Sequence, residues 1–281
     1  MEALGFANAA ASCYDTSMDE RPRVQAIAAR ILPLYRQIGG LGFAYGQGSL
    51  VMGFTAAADL DLVLVWDRAI PPPAARPAQL LNEGPQAAEQ FDQSGFVLDH
   101  FWVGGQEVDV PHITRATFDA WLTTVCGGSG WSPQAYPQPL AAVAGFAYGT
   151  LLADETGAGS AARALLAEFP LALTTNARAL LAERLPLYRA NLASCAERED
   201  GWLFHTILDG AMRDVCVTWF ATHGRYLPFH KRLHRWIVRF GLEADIADLE
   251  RAVWSPGADL THKAALFTTM AERVLALATL T

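Results

Sequence analysis

The sequence predicts an α+β fold: a small mixed β-sheet with helices on one face, followed by an all-α helical bundle. Three observations carry that prediction. Residues 60–66 (Leu-Asp-Leu-Val-Leu-Val-Trp) are an apolar run of strand length interrupted by a single acid. Residues 95–103 and 106–112 are two more strand-like runs joined by Gly104-Gly105, a tight-hairpin signal. From residue 139 onward, apolar residues recur at helical spacing almost to the end. Residues 126–138, rich in Gly, Ser and Pro, separate the two regimes, and the expected boundary divides domain 1–130 from domain 131–281.

The elements follow in order. Ser17-x-x-Glu20 has the form of a capping box, and Val24, Ile27, Ala28, Ile31 and Leu34 then keep helical spacing as far as Gln37. Gly39-Gly40 stops this helix, and Pro33 is expected to bend its last turn. Residues 41–46 read as a short strand, and Gly48-Ser49 opens a turn into a short helix over 50–53. After the strand at 60–66, Pro71, Pro72, Pro73 and Pro77 mark a loop, with a short helical piece over 78–91. Residues 114–125 read as helix beyond the hairpin. The remaining helices are expected over 139–153, 159–168, 175–198, 201–223, 228–240, 244–253 and 259–279. Pro228 suits a helix start, and Gly224 and Gly241 suit helix ends.

Composition narrows the function. Of 281 residues, 52% are hydrophobic and 18% charged, enough to build a core and too apolar for disorder. The net charge of -8 argues against extended nucleic-acid binding. That charge is uneven: residues 1–125 carry seven Arg, no Lys and fourteen acids, while 126–281 carry fourteen bases and fifteen acids. Cys13, Cys126, Cys195 and Cys216 are scattered without any CxxC, so neither a disulfide framework nor a zinc site is expected. Ala10-Ala11-Ser12-Cys13 has the shape of a lipoprotein cleavage box but lacks the segment that precedes one, and the first residues lack a signal peptide's basic region. No stretch reaches the roughly 20 apolar residues of a membrane span. A cytoplasmic protein without membrane attachment is the expectation.

One constellation carries chemistry. Asp59 and Asp61 are two residues apart, so on a strand they project to one face while Leu60, Leu62 and Leu64 face the other. Two carboxylates that close repel unless a cation lies between them, and hard oxygen ligands of this kind suit Mg²⁺. Asp109, between Val108 and Val110, would add a third carboxylate if its strand pairs beside the first. Three carboxylates can hold two ions, the arrangement that stabilises attacking and leaving oxygens in phosphoryl transfer. Gly48-Ser49 supplies the other requirement, backbone N–H donors and a hydroxyl that can approach phosphate closely. It is neither a Walker loop nor a dinucleotide fingerprint, since the Lys of the first and the third Gly of the second are absent.

Gly48, Ser49, Gly53, Asp59, Asp61 and Asp109, in that order and over roughly residues 22–125, resemble the nucleotidyltransferase superfamily of polymerase-β-like enzymes and small antibiotic adenylyltransferases. Ala58 stands where that family has a Ser before the acid pair. The helical half is more loosely similar to the helical C-terminal domains of aminoglycoside-type members. In those enzymes this domain closes the cleft and often brings a Lys to the phosphates; Lys231, one of two lysines here, is placed to do so.

The resemblance implies an α+β nucleotidyltransferase domain, 1–130, and a helical domain, 131–281, with the active cleft between them. The activity it implies is Mg²⁺-dependent transfer of a nucleotide, AMP from ATP first of all, to a hydroxyl of a small-molecule acceptor, with pyrophosphate leaving. Asp59 and Asp61 would hold the metal, and Asp109 would complete the metal site or act as general base. Gly48, Ser49 and Lys231 would bind the phosphates. The alternatives are a protein- or RNA-modifying enzyme of the toxin or antitoxin type, and a nucleotide-binding module without turnover.

Other residues have plainer readings. His223, Arg225, His230, Lys231, Arg232, His234, Arg235 and Arg239 form a basic cluster that is either a solvated helix face or, through Lys231 and Arg235 at i, i+4, a face aimed at phosphate. Asp209 and Arg213 read as an intrahelical ion pair, Trp202, Trp219 and Trp236 as core, and His112 as structural.

Overall fold

A computed structural model describes residues 20–55, 58–93, 96–132, 135 and 137–278. Ser17 of the capping pattern, the segment around Cys13, Gly95, and the end of the last expected helix at residue 279 lie outside the described residues.

The first helix, α1 (Arg21–Ile38), starts after Glu20 and passes through Pro33 without ending. Its buried stripe of Val24, Ile27, Ile31 and Tyr35 has the expected helical spacing. Strand β1 (Leu41–Gln47) leads into a one-turn helix, α2 (Gly48–Val51), and β2 (Leu60–Trp66) follows. The segment expected to be helical over 78–91 is one turn only, α3 (Ala78–Leu81), and its far end is the exposed strand β3 (Glu89–Gln93). The pair β4 (Phe96–Val103) and β5 (Gln106–Thr114) is the expected hairpin.

Next come α4 (Arg115–Cys126) and α5 (Pro139–Tyr148), and here the structure corrects the sequence reading. The helix expected over 139–153 stops at Tyr148, and β6 (Thr150–Asp154) pairs antiparallel with β1. Gly149 makes the change possible, since a Cβ at this position would overlap the Gly46 carbonyl oxygen. The apolar stretch 150–154 lacks an alternating pattern, and pairing with β1 decides its conformation. The sheet therefore draws a strand from beyond residue 130. Its order is β3-β4-β5-β2-β1-β6, with β2 and β5 parallel and every other pair antiparallel.

The remaining helices are α6 (Ala158–Leu166), α7 (Leu171–Glu197), α8 (Gly201–Thr222), α9 (Leu233–Phe240), α10 (Ala244–Val253) and α11 (Leu260–Ala276). Among the described residues none is long and apolar enough to cross a membrane, and Cys126, Cys195 and Cys216 are free thiols. The chain is thus an α+β fold, a mixed sheet followed by a helical C-terminal region.

The sheet is covered on both faces rather than one. Leu60, Leu62, Leu64, Trp66, Val108 and Val110 pack with α1. Phe43, Tyr45, Val63 and Val65 face the helical half, where Phe118 and Phe146 lie edge-on with ring centroids 4.9 Å apart. Each such fully buried side chain stabilises by about 1.5–3 kcal/mol. A buried carboxylate, Asp214 of α8, accepts from Trp131 Nε1 at 3.1 Å and from Tyr188 at 2.6 Å, tying the segment before α5 to the bundle. Trp219 and Trp236 are core as expected. Trp202 is not: at the first turn of α8 it is 86% exposed.

Candidate active site

The site begins with strand alternation. Because Leu60, Leu62 and Leu64 are fully buried on the α1 face, Asp61 must project to the opposite face, beside Val63. Strand β5 runs parallel to β2 and sets Asp109 directly beside Asp61. Asp59 lies just before β2. One carboxylate oxygen from each of Asp59, Asp61 and Asp109 falls within 4.8 Å of the other two. All three are partly buried, and together they could hold a metal ion.

Three carboxylates at that spacing repel. The burden falls on Asp61, whose pKa is pushed from 3.8 to about 7, first by burial and then by the charges of Asp59 and Asp109. Lys231 pulls it the other way. The donor set is all oxygen and short of positive charge, which fits a hard divalent cation better than a soft one.

Gly48 lies against this cluster. Its φ is 83°, and a Cβ there would collide with the Asp61 carboxylate. Any other residue would be strained at this φ and would have to displace the Asp61 carboxylate. Ser49 follows, partly buried on the same turn.

Lys231, exposed in the helical half, is near enough for its charge to act on Asp61. The helix expected from Pro228 begins only at Leu233, after Arg232 at φ 65°, so Lys231 lies in the preceding loop and shares no helix face with Arg235. The helix that follows is fastened to the Gly48 turn. Arg239 Nη1 donates to the Met52 carbonyl at 2.8 Å, and Trp236 meets Phe54 edge-on at 4.9 Å. The basic cluster is thereby dispersed: His223 pairs with Glu243 at 2.9 Å and Arg225 stacks on Phe240. Asp209 and Arg213 form the expected intrahelical pair at 3.1 Å.

His112 is structural, as expected. Trp66 Nε1 donates to its Nδ1 at 3.1 Å, which leaves Nε2–H to donate to Asp99 at 3.0 Å. Burial lowers its pKa, against the opposing pull of Asp99.

Sequence reasoning missed His100. It lies across from Asp109 in the β4–β5 hairpin, with Nδ1 2.7 Å from Asp109 Oδ1, and its Nε2 is 3.6 Å from Glu107. A signal was present. With Gly104-Gly105 as a two-residue turn, His100 and Asp109 stand equally far from it on opposite strands.

Neither a family model nor a curated protein matches the chain. Among solved structures it is similar to a nucleotidyltransferase-like protein from Exiguobacterium sibiricum 255-15. The two share 11% identity with a TM-score of 0.46, over 89% of this chain and 74% of that one. A likeness this distant carries no functional conclusion. The geometry of the acids has to do that.

Proposed function

We propose that the protein is a Mg²⁺-dependent nucleotidyltransferase that moves a nucleoside monophosphate, AMP in the first instance, from a triphosphate to a hydroxyl of a small acceptor. One observation carries the reading. Asp61 and Asp109 stand side by side on parallel strands, with Asp59 completing the cluster, directly against Gly48, where a Cβ would meet the Asp61 carboxylate. When bound, divalent cations neutralise these acids and the charge that develops at the phosphate.

The chain's own residues do the rest. Asp59, Asp61 and Asp109 are the ligands. The Gly48-Ser49 turn brings a hydroxyl and backbone N–H groups to the outgoing phosphates. Lys231 adds a cation on the phosphate side, carried by a segment fastened to that turn through Arg239. The buried leucines behind the acids keep them rigid, so little reorganisation is needed as charge moves.

The test is a panel of nucleoside triphosphates labelled at the α-phosphate, incubated with Mg²⁺ and a library of hydroxylated small molecules. Pyrophosphate release and label on the acceptor are the readouts. Metal-dependent transfer that disappears in Asp61→Asn is expected. Triphosphate binding that is equal in Mg²⁺ and in EDTA, with no pyrophosphate released, would overturn the reading.

A further inference from the structure

We propose that His100 is a positioning residue for the carboxylate cluster: its Nδ1–H holds one oxygen of Asp109 and so turns the other toward Asp59 and Asp61. This rests on the reading of the three acids as a cation site, and needs no nucleotide chemistry to be true.

The geometry is direct. His100 and Asp109 are cross-strand neighbours, and the Nδ1 to Oδ1 distance is 2.7 Å. An ionised carboxylate only accepts, so the ring nitrogen facing it is the donor. Glu107 Oε1, at 3.6 Å from Nε2, lies outside hydrogen-bond range and does not compete for the ring.

Asp109 needs such a constraint. Its side chain is 26% exposed, and its neighbour in the parallel register is Asp61, a like charge. With no constraint, repulsion would rotate the Asp109 carboxylate outward to water, away from the other two acids. A hydrogen bond from the neighbouring strand opposes that rotation and leaves one oxygen as the free ligand. Hydrogen bonds to ligating carboxylates act in this way, and their loss typically costs about 10–100-fold in metal affinity or activity. His100 is 27% exposed, so its ring is within reach of solvent, and Phe in its place keeps most of the packing.

Mn²⁺ is the probe, titrated into the protein without nucleotide and followed by electron paramagnetic resonance, with thermal melts alongside. His100→Phe keeps a ring and removes the donor; Mn²⁺ affinity should fall about 10–100-fold with the melt unchanged. His100→Asn offers an amide N–H close to the place of Nδ1–H and should restore most of the affinity. If the Phe variant folds poorly, His100→Ala gives the same comparison. Unchanged affinity in the donor-free variants overturns the proposal, as does an equal loss in Phe and Asn variants, or a wild-type protein that binds no Mn²⁺. A wild type that binds Mn²⁺ in a His100-dependent way but transfers no nucleotide refutes the proposed function and leaves His100 in its role.

Discussion

Asp99 and Asp109 stand on adjacent strands, each beside a histidine, yet they belong to opposite faces of the sheet and opposite kinds of environment. Asp99 is fully buried among partners. It accepts from Tyr35 at 2.6 Å, His112 at 3.0 Å and Gln90 at 3.1 Å, and Arg76 Nε lies 3.1 Å away. Burial alone would raise its pKa, but the hydrogen bonds from His112, Tyr35 and Gln90 together hold it below the usual carboxylate range. Asp61, which shares the Asp109 face, has the reverse balance: burial and two neighbouring acids lift it to about 7, with Lys231 as the opposing cation. A carboxylate supplied with donors fixes the fold. A cluster with fewer donors than charges, where His100 serves Asp109 and none is given to Asp61, keeps its repulsion, and such perturbed groups concentrate at functional sites.

Exchanging one acid for its amide on each face should give opposite phenotypes, and this is the largest expected contrast. Asp61→Asn should lower transfer about a thousandfold or more, since electrostatic stabilisation dominates such chemistry, while the melting temperature holds or rises. Asp99→Asn should do the reverse, because it removes the nearer and buried counter-charge of the Arg76 guanidinium and leaves it only Asp92, half-exposed at 3.9 Å. Breaking a buried pair in this way costs about 3–5 kcal/mol, read as a shifted urea midpoint. The contrast breaks if Asp61→Asn unfolds the protein or Asp99→Asn leaves stability untouched.

The pH dependence of stability sharpens the contrast with a smaller effect. In metal-free protein Asp61 titrates near 7 when folded and near 3.8 when unfolded. Between those values the folded state binds the extra proton, so this group's contribution to stability falls as pH rises from about 4 to about 7 and is level above. Partial exposure and screening reduce the effect to about 1–2 kcal/mol. Asp61→Asn should lose this slope, and Mg²⁺ should restore stability above pH 7 in the wild type alone. Denaturation midpoints at pH 5 and 8, with and without Mg²⁺, measure it; parallel wild-type and variant curves would remove the picture of a self-repelling cluster.

The two faces also differed in how far the sequence revealed them. The acid cluster was legible because strand alternation is local: Asp59-x-Asp61 among leucines specifies both the face of the acids and the packing behind them. Asp109 followed from its own apolar run, although its register beside Asp61 is a product of parallel pairing that no local pattern encodes. The Asp99 network was invisible. Tyr35, Arg76, Gln90, Asp99 and His112 come from four separate elements and a loop and share no spacing, so only tertiary structure assembles them. For the same reason the sequence pattern runs β6 into the end of α5, since Thr150–Asp154 becomes a strand only through its pairing with β1. The helix α3 stops short ahead of Gly84-Pro85, and α9 starts late because Arg232 takes a left-handed conformation just before it.

An effect comparable in size to the pH dependence should come from Lys231, whose charge acts on the acid face from the helical half. It is exposed, and its ammonium is close enough to Asp61 to lower the Asp61 pKa. The loop that carries it runs into α9, and α9 is held to the Gly48 turn by Arg239 and Trp236. A compact ammonium there would meet phosphate as a point charge, which the planar fork of Arg does not reproduce. Lys231→Ala should therefore weaken triphosphate binding or slow transfer by about 10- to 100-fold, each tenfold being about 1.4 kcal/mol. Lys231→Arg should recover only part of that, and both should leave the melt and acceptor binding unchanged. In metal-free Lys231→Ala the Asp61 carboxyl should titrate higher still, since a cation that favoured its ionised form is gone. Carbon-13 NMR of the labelled carboxyl would record that shift without any turnover. An unmoved titration together with unchanged nucleotide affinity would make Lys231 a solvated surface residue, and the acid face would then draw its positive charge from metal alone.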